Sequence, residues 1–184
     1  MIRRALLILL AGASLHCPAA NTDYGLGEDG GTDPTLRCAT GSWWTHGDDG
    51  DNLMHPGRAC IHCHSSWHRG PAFSVAGTVF HAFDEGDDCN GFPGDQSPEP
   101  NRAAIEVTDA NNHTFLIWAN RVGNFYTTFP LRNPLHNIRV HFPDGTVQEM
   151  FDPAPNGDCN SCHTRTGTNT ATGMAPGRIA PPPM

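Results

Sequence analysis

Charge is scarce in this chain. Only 16% of its 184 residues are charged, with 11 basic against 19 acidic and a net charge of -8. Nucleic-acid binders and proteins adsorbed on anionic membranes present clustered positive charge, and this balance excludes both classes. The hydrophobic share is lean at 38%. Twenty glycines and 16 prolines leave little room for long helices. The chain holds no nucleophile elbow, P-loop or supported pair of carboxylates, so no independent catalytic constellation can be read from it.

Apolar runs are also missing, apart from one at the start. Met1-Ile2-Arg3-Arg4 precedes Ala5 to Ala13 (ALLILLAGA), a run too short to span a bilayer and shaped like a secretory signal. Residues 1–16 are read as that signal. Arg3-Arg4 fits a twin-arginine route or, more simply, an ordinary basic n-region. Cleavage before Cys17 would expose that cysteine to lipidation, although His16 stands where a small residue is expected. Ordinary cleavage near Ala19 or Ala20 is the alternative. The preferred reading is lipid at Cys17, the sole membrane contact, followed by a Gly/Asp-rich tether over residues 17–37. The expected location is the periplasm, the outer membrane surface or the extracellular space.

What is present is a pattern that occurs twice. Cys60-Ile61-His62-Cys63-His64 recurs as Cys159-Asn160-Ser161-Cys162-His163. This is the spacing for covalent attachment of c-type haem: two thiols form thioethers to the vinyl groups, and the next residue's imidazole reaches the iron. Zinc sites place their histidines at wider and more varied spacing. A thioredoxin-type dithiol opens a helix in a βαβ context, which is absent. The expectation is two c-type haems bound by Cys60, Cys63, Cys159 and Cys162, with His64 and His163 as proximal ligands. Of the seven cysteines, Cys38 and Cys89 remain. In an exported protein two leftover thiols most simply form a disulfide, here around the first motif.

The sixth ligands are open. Eight of the 11 histidines remain after His16, His64 and His163 are set aside. His62 lies inside a motif, and His68 shares a helical face with His64. His113, His136 and His141 suit surface positions. His81 ends an apolar strand face and needs a partner, in the core or on iron. His55 is fixed by Pro56-Gly57. Met54 is its rival and would raise the potential, and His46, near Trp43 and Trp44, is a third choice. His55 and His81 are the favoured pair. Iron ligated on both sides suits electron transfer. The pairs Asp48-Asp49 and Asp87-Asp88 read as solvated loop charge or calcium ligands.

Alternation places about six strands between the motifs: Phe73 to His81, then Ala103 to Thr108, His113 to Ala119, Asn124 to Phe129, Ile138 to Phe142 and Val147 to Phe151. The predicted fold is mainly β, a small antiparallel β-sandwich over residues 72–152. Irregular haem-attachment segments flank it at 38–71 and 153–184, the latter ending in an extended or disordered tail.

Ala76-Gly77-Thr78-Val79, Ile105 to Asn111 (IEVTDAN) and Gly123-Asn124-Phe125 resemble the carboxypeptidase regulatory-like β-sandwich, a resemblance that implies a fold and no activity. A wider likeness joins Met54-His55-Pro56-Gly57, Asp87 to Gly91 (DDCNG), Gly157 to Thr164 (GDCNSCHT) and Ala175 to Ile179 (APGRI). Together these resemble exported bacterial dihaem c-type cytochromes built on that sandwich. The likeness implies a one-electron carrier serving redox-partner cytochromes or extracellular electron acceptors. The rival readings are a small haem enzyme of peroxidase or reductase type, and a subunit of a haem-bearing filament or adhesion assembly.

Overall fold

The alternating runs between the two motifs do form strands. The structure is a computed structural model and describes residues 38–45, 50–67, 70–92, 102–170 and 173–182. The signal, Cys17, the tether of residues 17–37 and His46 lie outside the described residues.

Six strands follow one helix, α1 (Cys60–Trp67): β1 (Val75–Thr78), β2 (Ala104–Thr108), β3 (Thr114–Trp118), β4 (Asn124–Thr127), β5 (His136–His141) and β6 (Val147–Met150). They make two antiparallel sheets, β1-β4 and β3-β2-β5-β6, and the fold is mainly β, a small sandwich. Turn chemistry sets the registers. Asp109 Oδ1 accepts the amides of Asn111 and His113, both at 2.9 Å, and closes the β2–β3 turn. Asp144 Oδ1 accepts the Thr146 amide at 2.8 Å at the β5–β6 turn. The inward residues Val75, Ile105, Val107, Phe125, Leu135 and Val140 form the main core.

The first strand differs from its alternating pattern. All four β1 residues are buried, because β1 is covered on both faces and along its free edge. Phe125 lies on Gly77. The Ala76 amide donates to Gly157 O at 2.9 Å, and Phe80 N donates to Ile179 O at 2.7 Å. The strand ends at Thr78, so His81 lies beyond it rather than at the end of its apolar face.

The C-terminal segment differs as well. It is neither loose nor solvated: β7 (Thr168–Thr170) and β8 (Gly173–Ala175) pair as a hairpin, and Ala175, Gly177, Arg178 and Ala180 are buried. The free edge of β1 supplies the reason, since Ile179 bridges to Val79 in parallel and satisfies backbone groups there. The expected Cys38–Cys89 disulfide is present, with Phe80 packed in the same small cluster. It closes a loop of 51 residues in separation, worth about 3 to 4 kcal/mol in the chain-entropy model.

Candidate haem-attachment sites

The first motif is helical. Cys60, Cys63 and His64 stand at i, i+3 and i+4 of α1, which brings all three to one face. The residues before this helix, Arg58-Ala59, are poor N-caps. The cap comes from the other motif instead: Asp158 Oδ2 accepts the His62 amide at 2.8 Å. A carboxylate there also faces the positive end of the helix.

The second motif wraps one tight turn. A 3-10 turn (Cys159–Ser161) leads into amides of Cys162 and His163 that both donate to Cys159 O, at 3.2 and 2.9 Å. Cys159, Cys162 and His163 thus share one turn, as Cys60, Cys63 and His64 do. A side chain at residue 77 would meet Cys159 Cβ at 2.9 Å, so glycine in β1 is what admits the second motif against the sheet.

Both motif imidazoles are held in the same way. His64 Nδ1 lies 2.9 Å from Pro71 O, and His163 Nδ1 lies 2.9 Å from Gly177 O. An Nδ1–H donated to a carbonyl leaves the lone pair on Nε2, the tautomer suited to metal ligation. Gly70 has φ +84° and a Cβ there would lie 2.8 Å from His64 Cε1, so only glycine leaves the ring in place. Phe73 packs on the His64 ring at 4.6 Å, with Tyr126 beyond it at 4.9 Å. Burial lowers the His163 pKa. The bond to Gly177 opposes that shift and the Arg178 charge adds to it, so the ring is neutral near pH 7.

A buried polar knot joins the two sites. Thr78 Oγ1 accepts Gly57 N at 2.9 Å and Asn160 Nδ2 at 3.1 Å, and donates to Asn124 Oδ1 at 2.8 Å. One hydroxyl therefore uses its donor and both acceptor positions. Asn160 also donates to Arg58 O at 2.9 Å, and Asn124 to Met54 O at 2.9 Å. Motifs separated by 94 residues of chain are in this way brought side by side.

The thiols are not activated. Burial, reinforced by Asp158 and by Cys159, pushes Cys60 up to about 12. Burial and Asp158 push Cys159 up to about 12 as well. A redox dithiol needs the opposite shift. Cys63 is likewise outside any disulfide. Cys162 is disulfide-bonded.

The distal candidates are dispersed. His55, at φ +44°, sets Nδ1 3.1 Å from Asp88 Oδ1 and packs at a tilt against Trp44, with ring centroids 4.2 Å apart. Met54 shares that turn. His81 stacks on Phe92 at 4.5 Å, and its buried Nε2 makes no hydrogen bond. Burial lowers its pKa against the opposing charge of Glu85. His113 is exposed, as expected. Asp87 and Asp88 are not merely solvated charge: Asp87 pairs with Arg178, and Asp88 with Arg58 at 2.6 Å and with His55.

Sequence reasoning gave no separate role to Gly70, Pro71, Asp158, Asn160 or Arg178. The only signal at the last three was their place in recurring segments. Among the described residues, no group of three or more His, Cys, Asp or Glu side chains is gathered as a metal cluster. No protein-family model matches the chain, and no match was found among curated proteins or among solved structures.

Proposed function

We propose that this protein is an exported dihaem c-type cytochrome that carries single electrons. The observation that carries the reading is the shared treatment of His64 and His163. Each follows a Cys-x-x-Cys pair on one turn of backbone, and each has its Nδ1 fixed on a carbonyl at 2.9 Å. Two unrelated surface histidines have no reason to share this arrangement, whereas two iron ligands do. A c-type haem at each site supplies a one-electron Fe(III)/Fe(II) couple.

The chain's own residues do the rest. Cys60 and Cys63 attach one group, Cys159 and Cys162 the other. Pro71 and Gly177 orient the proximal rings, and Phe73 covers one of them. Asp158 and the Thr78 knot hold the two attachment turns together, which supports transfer between them within one molecule. His55, oriented by a carboxylate, and His81, with a buried nitrogen lacking a hydrogen bond, are the distal ligands we favour over Met54 and His46. The partners are redox cytochromes or extracellular electron acceptors, and lipid at Cys17 is the anchor.

Intact mass combined with a pyridine haemochrome spectrum tests this. The expected result is two haem increments on the processed chain, thioether spectra, and a lipid increment at Cys17. A thioether and a disulfide exclude each other at one sulfur, so the same measurement reads which bond Cys162 makes in the exported protein. A chain produced with a working haem-attachment system and carrying no haem would overturn the reading.

A further inference from the structure

Arg178 is the one basic side chain buried completely among the described residues, at 2% exposure. Its guanidinium is fully engaged. Nε donates to Glu85 O at 3.0 Å, and NH1 donates to Gly57 O at 2.9 Å and to His163 O at 3.2 Å. NH2 pairs with Asp87, and the group lies over the Phe80 ring at 5.0 Å. The preceding residue, Gly177, supplies the carbonyl that holds the His163 ring. One residue thus fixes the segment that orients the second proximal ligand and sets a positive charge behind it.

The charges around it do not cancel this field. Asp87 is 57% exposed, so water damps its charge far more than that of the buried guanidinium. Glu85 is buried, but its carboxylate turns away onto the amides of Ala39, His81 and Ala82 at 2.8 to 3.1 Å. The first site has no such cation among the described residues: Arg58 is partly exposed and directs its guanidinium to Asp88. The Asp158 carboxylate lies between the two sites and acts on Cys60 and Cys159 alike, so it does not set them apart.

We propose that Arg178 makes the C-terminal site the electron-retaining one of the pair: its charge favours the reduced form of a haem ligated by His163 over one ligated by His64. A fixed cation beside iron stabilises the state with one positive charge fewer and so raises the potential. Arg178 is a positioning residue that acts through His163, and the two sites form a directed pair, with electrons entering at the first and resting on the second. The proposal rests on the dihaem reading.

Spectroelectrochemical titration of the intact two-haem protein at pH 7 tests it. A His163→Met variant identifies the wave of the C-terminal site by its upward shift. In the wild type that wave is the higher of the two. Arg178→Gln should lower it by at least tenfold in the reduction constant, equivalent to 59 mV for one electron, and leave the other wave in place. Arg178→Lys should retain most of the difference. Asp87→Asn removes only the counter-charge and should move the same wave upward; it carries the test if Arg178→Gln does not fold. Two haems with neither variant moving the C-terminal wave, or with both waves moving alike, would overturn the proposal. A haem count of zero instead overturns the cytochrome reading, and the proposal with it.

Discussion

Thr78 shows how much one hydroxyl decides. It is wholly buried and has three partners, on the turn before α1, on β4 and in the second motif. Removing it strands buried amide groups that cannot find water. Thr78→Val keeps the shape and should cost about 2 to 3 kcal/mol in urea unfolding, with Thr78→Ser recovering most of it. A loss under about 0.5 kcal/mol would mean that the knot is not what joins the sites. Gly70 and Gly77 act through absence: each marks a place where a side chain would collide with motif atoms, at His64 and at Cys159.

The elements that carry the motifs are short, and each is held from outside itself. Helix α1 takes its cap from Asp158, and the turn over residues 54–58 is held by Asp88 through His55 and Arg58. Burial raises the Asp88 pKa, but the hydrogen bonds from His55 and Arg58 and their charge outweigh it and hold the carboxyl below 3.8. Its stabilisation is therefore fully present above that value and is lost as pH falls through the lower, folded value. Asp88→Asn should cost about 1 kcal/mol at pH 7. In chemical denaturation repeated down the acid range, the gap between variant and wild type should close. A gap that persists undiminished in strong acid would show that the carboxylate charge contributes nothing. The C-terminal segment obeys the same rule. Its buried stretch exists because the edge of β1 offers unpaired backbone groups, and its own Gly/Pro-rich composition suggested looseness.

At the scale of the whole molecule, the sandwich is a frame that sets two attachment turns against each other. On the dihaem reading proposed above, electron exchange between them would be internal. After flash reduction by substoichiometric reductant, the dihaem protein should redistribute the electron at a rate independent of protein concentration. A rate proportional to concentration would mean that exchange occurs between molecules. The lean core and the Cys38–Cys89 bridge fit a chain that relies on cross-links and a buried polar joint as well as on apolar burial.

The local facts were legible in the order of the amino acids: two Cys-x-x-Cys-His turns, the six strands and their turns, and the pairing of Cys38 with Cys89. Each depends on neighbours in the chain or on simple elimination, as with the alternation in β2 and β3 or the Asp109 turn. Long-range packing is what joins the motifs through Asp158 and Asn160, sets Asp158 as the cap of a helix 96 residues before it in the chain, and buries Arg178 behind His163. The free edge of β1 draws the Gly157 and Ile179 segments together, and no local periodicity encodes that pairing. His81 shows the limit most plainly. Its alternation placed it on a strand face, but the pairing with β4 runs out at Thr78 opposite Asn124, so the strand stops short of His81, and the ring stacks on Phe92 instead.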